Sequence, residues 1–270
     1  MRRAAAAIVV ASVGAACSAL TNLDDLRGED GSATDANADV ASGDVAVNEP
    51  SDAAPTSFCP RPTDADVVYC ESFDDGEDAA TLGVVQSNTG TVTIDDADFV
   101  SPPASLLATI GAADGGTLAA GIKHATNVEP MRIWLDLSVR EHSLAGNMNL
   151  LSIEEIGTTT HTIVMVIGPT HFYVQETLPN ADGGTVYVSH TTVPFNFSDE
   201  SWHAIHFVLD LDTKTDAVSI DGTFYESNYA LQAGWVKGLA TLSTGVTYSI
   251  ASDTAWSLRV DNVLAQMWLE

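Results

Sequence analysis

Residues 201–222, SWHAIHFVLDLDTKTDAVSIDG, carry the clearest strand pattern of the chain. Successive side chains on a strand point to opposite faces, so the alternation in its first half places Ile205, Phe207 and Leu209 on one apolar face. A polar turn follows, and then a second apolar run that ends in an Asp-Gly pair. Such a pair readily supplies the positive φ of a tight hairpin turn. The stretch therefore predicts antiparallel strands joined by short turns.

The same character extends over residues 58–270. All five tryptophans, six tyrosines and eight phenylalanines lie from Phe58 onward. Glycines and prolines separate short runs rich in Val, Ile, Thr and Leu, and the only helix expected is a turn or two near residues 229–234. About a dozen short strands at this spacing predict an all-β domain, a two-sheet antiparallel jelly-roll sandwich.

The first 16 residues predict a signal peptide. Arg2 and Arg3 form a positive start, and Ala4–Ala16 is an apolar stretch of 13 residues. A membrane-spanning helix needs roughly 20 residues, so this stretch is typical of a signal segment. It ends in Gly14-Ala15-Ala16-Cys17, which resembles the lipobox of bacterial lipoproteins, although Gly14 stands where that family usually has Leu. The alternative is an ordinary secretory signal cleaved near Cys17.

The lipobox resemblance implies lipidation of Cys17, and residues 17–57 then form an acidic tether. From Thr21 to Ser57 there are nine acidic residues against the single base Arg27, with no aromatic residue. Such a segment buries too little apolar surface to fold, so we expect it to be disordered. Ser18 is not the Asp that retains some lipoproteins at the inner membrane. We therefore expect an exported chain, anchored to the cell envelope at the outer membrane through its lipid alone.

Charge and cysteine content narrow the partners. The chain has 37 acidic and 10 basic residues, a net charge of −27, which repels nucleic acid and anionic lipid headgroups. With Cys17 assigned to lipid, Cys59 and Cys70 remain as an even pair in an exported protein. This arrangement predicts a disulfide at the entry to the folded domain.

The hairpin of residues 201–222 is similar to the Trp-His strand, polar turn and Asp-Gly hairpin of concanavalin A-like lectin/glucanase domains, particularly their laminin G-like branch. Weaker matches are Glu71-Ser72-Phe73-Asp74-Asp75 and Arg259-Val260-Asp261-Asn262-Val263. The resemblance covers residues 58–270. It implies a jelly roll whose first and last strands pair and whose concave sheet holds a ligand, most often carbohydrate.

One strand carries a candidate ligand face. In residues 131–140, MRIWLDLSVR, alternation puts the apolar residues on the core side. An aromatic ring flanked by charges suits a sugar, because the ring stacks on the sugar face and the charges bind hydroxyls. The predicted strand of residues 202–211 carries His206 on its non-apolar face. If this strand and the strand of residues 131–140 both lie in the concave sheet, the predicted binding residues are Arg132, Trp134, Asp136, Arg140 and His206. The alternative is that the tryptophan packs under a loop and the charges are a solvated face.

Catalysis is the less favoured interpretation. Glu154 and Glu155 are adjacent on a predicted strand and point to opposite faces, so they cannot be the paired carboxylates of a glycosidase. The Glu-x-Asp-x-x-Glu pattern of the related glucanases is absent. A lyase site would need a base and a group that neutralises the sugar carboxylate. On paper the candidates for such a site are His203, His206, Tyr173 and Arg132.

A structural calcium ion is the only cofactor the sequence suggests. Calcium takes six to eight oxygen ligands, which acid-rich loops supply. Asp74, Asp75 and Asp261 would meet if the terminal strands pair, and the alternative is that these acids are solvated surface. The sequence thus predicts an envelope-anchored, non-catalytic carbohydrate-binding domain. Alternatives are a glycoside hydrolase or polysaccharide lyase on the same fold, or a structural or adhesive surface protein without a small ligand.

Overall fold

The computed structural model describes residues 58–59, 65–76, 79–157, 159–180, 182, 184–190, 192–232, 237–250 and 254–269. The predicted signal peptide, Cys17 and the acidic tether lie outside the described residues. Within them, no helix has the length and apolar character to cross a membrane.

Sixteen strands account for most of the described chain, and its single helical element is a 3₁₀ turn at Ala79–Thr81. The strands are β1 (Val67–Glu71), β2 (Val84–Ser87), β3 (Gly90–Asp95), β4 (Ser105–Ile110), β5 (Thr117–Ala125), β6 (Arg132–His142), β7 (Met148–Ile156), β8 (Thr160–Gly168), β9 (His171–Pro179), β10 (Thr185–Ser189), β11 (Val193–Pro194), β12 (His203–Asp210), β13 (Thr215–Ile220), β14 (Thr223–Ala230), β15 (Leu239–Ile250) and β16 (Trp256–Trp268). The helical turn expected at residues 229–234 does not form at Tyr229 and Ala230, which end β14 instead.

The strands make two antiparallel sheets that pack face to face. The first sheet has the order β14-β13-β12-β6-β16-β4-β3, and β1 also pairs with β16. The second has the order β10-β9-β8-β7-β15-β5-β2, and β11 pairs with β9. This is the predicted all-β jelly-roll sandwich.

The hairpin of residues 201–222 forms as expected. β12 pairs with β13, with Phe207 opposite Val218, and both side chains are buried between the sheets. Asp221 and Gly222 have φ values of 51° and 75°, so the Asp-Gly pair makes the turn into β14. Each fully buried Leu, Ile or Phe contributes about 1.5–3 kcal/mol, so this face is a large part of the stabilisation of the first sheet.

The terminal strands pair, as the resemblance implied. β1 runs antiparallel to the end of β16, with Cys70 opposite Leu264. Cys59 is bonded to Cys70, and their Cα atoms are 5.7 Å apart. The predicted disulfide is therefore confirmed, and it attaches the start of the described domain to this seam.

Candidate functional site

A groove of about 590 Å³ lies on the outer face of the second sheet. Its lining residues come from seven strands, from β2 at one edge to β10 at the other. Neighbouring strands are about 4.8 Å apart, so six spacings make the groove about 29 Å long across the strands. A ligand that fills it is therefore elongated and lies across the strand direction.

The outward residues of β8 and β9 follow directly from strand alternation. Ile163, Met165 and Ile167 are buried between the sheets, while Thr162, Val164 and Val166 line the groove. On β9, the inward residues Phe172 and Val174 alternate with the outward residues Tyr173, Gln175 and Thr177. Local sequence thus sets which side chains reach the groove.

Small residues keep the middle of the groove open. Gly121, Ser152 and Ser243 lie on the adjacent strands β5, β7 and β15. A Cβ on Gly121 would lie 2.4 Å from the carbonyl oxygen of Thr244, so the close approach of β5 and β15 requires glycine there. The absence of a side chain at Gly121 also contributes depth.

Three tyrosines line the groove and give it aromatic surface. Tyr173 is on β9 and Tyr187 is on the edge strand β10. Tyr248 is on β15, within the irregularity in its pairing with β5 between Val246 and Ser249. Tyr187 is 64% exposed and Tyr248 is 45% exposed. Exposed rings with a polar hydroxyl suit a ligand that has both apolar faces and hydroxyl groups.

The polar groups of the groove are mostly neutral. Asn147, Asn149 and Gln175 supply side-chain amides, and the Gln175 amide donates to the Ser189 hydroxyl at 3.0 Å. Lys123 and Glu154 are the only charged residues among the described lining, and they form an ion pair of 3.0 Å. The groove is therefore hydrogen-bonding in character and close to neutral.

The groove does not hold the carboxylate pair of a glycosidase among its described lining residues. Glu154 lines it, whereas Glu155 is fully buried on the opposite side of β7. The prediction that these two side chains point to opposite faces is confirmed. Oε2 of Glu155 accepts a hydrogen bond from the Gly238 N–H at 2.8 Å, and its role is structural.

A second group of residues lies at the margin of the groove, and of its members the sequence had suggested only Tyr173. The rings of His171 and Tyr173 are stacked, with centroids 6.2 Å apart and planes 6° from parallel. A Cβ on Gly168 would lie 2.4 Å from Oδ1 of Asn147 and 2.7 Å from Cε1 of His171, so both side chains surround this glycine. A signal for this group was available in His171-x-Tyr173-x-Gln175, three polar residues on one face of a strand.

The predicted ligand residues lie on the other sheet. β6 and β12 are neighbours, so Arg132, Trp134, Asp136, Arg140 and His206 do share the outer face of the first sheet. That face does not carry the groove, because the groove lies on the second sheet. The role of these five residues in ligand binding stays a prediction.

Most of the charges on that face are already paired. Arg132 is 2.6 Å from Asp210, Arg140 is paired with Asp98, and His206 is hydrogen-bonded to Asp136. The hydrogen bond to Asp136 raises the pKa of His206. Arg132 and Arg140 therefore meet any ligand with their charge already balanced by a carboxylate.

Trp134 packs within an aromatic group on the first sheet. Its ring lies edge-on to His206 at 5.7 Å and to Trp268 at 5.0 Å between centroids. Trp202, which lies directly before β12, donates from Nε1 to Oδ1 of Asp98 at 3.1 Å. The lyase set considered on paper is also divided, since Tyr173 lines the groove whereas His203, His206 and Arg132 are in the first sheet.

Two of the three predicted calcium ligands meet at the seam of the terminal strands. Oδ2 of Asp261 accepts hydrogen bonds from the N–H groups of Val100 and Ser101, at 2.7 and 2.9 Å. Asp74 accepts from the Ala104 N–H at 3.3 Å, and Asp75 is exposed. Among the described residues, no three acidic, His or Cys side chains form a metal-binding group. Asp74 and Asp261 thus act on loop amides, and calcium binding stays a prediction.

Comparison with known proteins identifies the fold. No protein-family model and no curated protein sequence matches this chain. Among solved structures, the endo-β-1,4-glucuronan lyase of the fungus Trichoderma reesei is 13% identical, with a TM-score of 0.58 over 76% of this chain and 96% of that one. Alginate lyase A1-II′ is 12% identical, with a TM-score of 0.49 over 75% of this chain and 95% of that one. The fold is the concanavalin A-like jelly roll, as the hairpin resemblance implied.

Proposed function

We propose that this protein binds an extended polysaccharide chain in the groove of the second sheet and does not cleave it. The observation that carries the proposal is the groove itself, in which exposed tyrosines stand beside a floor of small residues. Stacking on Tyr187 and Tyr248 would hold the sugar rings, and the amides of Asn149 and Gln175 would bind their hydroxyls.

The proportions of the groove support a chain rather than a single sugar. Its volume of about 590 Å³ is within the usual range for a ligand site, about 300–1,000 Å³. Its lining reaches from Val85 on β2 to Tyr187 on β10, which gives room for several consecutive sugar residues.

The experiment is a binding screen of the purified full chain against a broad panel of polysaccharides, repeated with Tyr187→Ala. We expect saturable binding that the substitution weakens at least about tenfold, the effect of removing an aromatic anchor. Phe224→Ala is the matched control, because Phe224 is 65% exposed but lies on β14 of the first sheet. Absence of binding to every polymer by the folded chain, or equal losses in both variants, would contradict the proposal.

Polysaccharide lyase activity is the second candidate, and the group of His171, Tyr173 and Asn147 is the observation that favours it. A lyase needs a base, such as His or Tyr, and a group that neutralises the sugar carboxylate, such as Asn. The test is the ultraviolet absorbance of the unsaturated product after incubation with uronate polymers. Product formation that is lost in Tyr173→Phe would establish this activity instead of simple binding.

We also propose that the domain is displayed on the cell envelope by lipid on Cys17. The support is the Gly14-Ala15-Ala16-Cys17 sequence after an apolar segment, followed by an acidic stretch suited to a tether. The tether would hold the groove away from the membrane, where long polymers can reach it.

A further inference from the structure

We infer that the groove selects a neutral glycan and excludes polyuronates, an inference that rests on the proposed function. The first observation is that Lys123, the only cation among the described lining residues, is already in an ion pair. Nζ of Lys123 is 3.0 Å from Oε2 of Glu154, and both side chains belong to the groove lining. The charge of this ammonium is thus already balanced, and the Glu154 carboxylate beside it would repel a polymer that has a carboxylate on every sugar.

The arginines among the described residues offer no replacement. All three belong to strands of the first sheet, and each is paired with an aspartate: Arg132 with Asp210, Arg140 with Asp98 and Arg259 with Asp95. Arg259 donates to Oδ2 of Asp95 from both Nε and Nη2, at 2.9 and 2.7 Å. Their charges are thus neutralised locally, on the sheet that does not carry the groove.

The charge of the whole domain acts in the same direction. Residues 58–270 hold 28 Asp and Glu against 7 Lys and Arg. Charges within about 8 Å are still felt at physiological ionic strength, and the field of the remaining acids lowers the local concentration of polyanions. A polyuronate would therefore approach slowly and bind weakly.

The groups that remain in the groove are those that recognise hydroxyls. Asn149, Gln175 and the threonines of β8 and β9 are neutral donors and acceptors. Neutral hydrogen bonds and stacking depend little on salt, whereas attraction to a uronate would depend on it strongly. Binding of the preferred glycan should therefore be nearly independent of ionic strength.

The test uses matched pairs of polymers with the full chain. Each neutral polysaccharide in the panel is assayed before and after oxidation of its primary alcohols to carboxylates, and each natural polyuronate before and after reduction of its carboxyls. We expect the neutral member of a pair to bind, and the carboxylated member to bind at least about tenfold more weakly. Binding of carboxylated members alone would overturn the inference and leave glycan binding in place. Binding of neither form of any polymer would overturn both.

Two charge variants connect the selectivity to the groove. Glu154→Gln removes the carboxylate and leaves Lys123 unpaired, so the ratio of uronate to neutral-glycan affinity should rise. Lys123→Gln should lower the same ratio. A purely structural role of the pair would change both affinities together, so ratios that do not move in opposite directions would contradict the inference.

Discussion

Nε2 of His190 lies 2.9 Å from Oε1 of Glu176, and both side chains are almost entirely buried. The other ring nitrogen, Nδ1, is 3.2 Å from Oδ2 of Asp216. Glu176 belongs to β9 of the second sheet and Asp216 to β13 of the first, so one imidazole joins the two sheets. His190 also follows β10 directly, and it therefore fixes the strand that carries Tyr187 at the edge of the groove.

Removing this imidazole should destabilise the domain strongly. His190→Ala would leave two buried carboxylates without their shared cation, and breaking a buried ion pair in this way costs about 3–5 kcal/mol. The measurement is the free energy of unfolding from urea titration. His142→Ala is the control, because His142 is exposed and paired only with exposed Glu200. A loss in His190→Ala no larger than in the control would contradict the role given to His190.

The ion pairs of His190 with Glu176 and Asp216 should also make the fold less stable at alkaline pH. Burial alone lowers the pKa of His190, but hydrogen bonds and attraction to Asp216 and Glu176 outweigh it and raise the pKa to about 9. The folded state therefore binds the proton of His190 more tightly than the unfolded state does. The resulting stabilisation is complete below the ordinary pKa of 6.5, and it is lost as the pH rises through about 9. Thermal unfolding between pH 6 and pH 10 should show the decline, and His190→Gln should reduce it. An unchanged decline in that variant would assign it to other groups.

The buried Glu155 carboxyl should make stability depend on pH in a second, lower range. Burial raises the pKa of its carboxyl from 4.5 to about 8, against the opposing hydrogen bond from the Gly238 N–H. The folded state thus holds a proton that the unfolded state releases above pH 4.5, and stability falls as the pH rises from about 5 to about 8. A single proton sets a limiting slope of about 1.4 kcal/mol per pH unit.

Glu155→Gln should flatten that part of the stability profile, because the neutral amide needs no proton. The matched control is Glu154→Gln, since Glu154 is the adjacent acid and is partly exposed in the groove. Urea titrations at pH 5, 6, 7 and 8 provide the measurement. Equal slopes in the wild type and Glu155→Gln would show that this carboxyl is already ionised in the folded state.

Lipidation of Cys17 is tested separately from the domain. In a bacterial host, the full chain should incorporate labelled fatty acid and partition into the detergent phase, and Cys17→Ser should abolish both. A double Cys59→Ser, Cys70→Ser variant is the control, because it removes the other two cysteines and should keep the label. Label retained in Cys17→Ser would reject the anchor.

The fold was predictable where a strand has one apolar face. On β6, Ile133, Leu135 and Leu137 are buried, while the intervening residues are partly exposed, as alternation indicates. The Asp-Gly turn also followed from local sequence. The pairing of β1 with β16, which places Val67 opposite Met267, was instead implied by the family resemblance. The strand faces and the turn required no knowledge of distant contacts.

The groove was not predictable in the same way, because it is assembled from distant strands. Tyr248 is opposite Asn149 in the pairing of β15 with β7, a contact between residues far apart in sequence. The sequence alone does not indicate why residue 121 is glycine, because the reason is the close approach of β15. Trp134 was predicted to bind a ligand because charged residues flank it. One of these, Arg132, donates two hydrogen bonds to Asp210 instead.

Binding in the groove is tested most directly by comparing one residue from each sheet. The dissociation constant of the full chain for its glycan is measured with Tyr248→Ala, from the groove, and Trp134→Ala, from the outer face of the first sheet. We expect roughly tenfold weaker binding for Tyr248→Ala and less than about twofold change for Trp134→Ala. Loss of binding in Trp134→Ala, with Tyr248→Ala unaffected, would contradict binding in the groove and place the ligand on the first sheet.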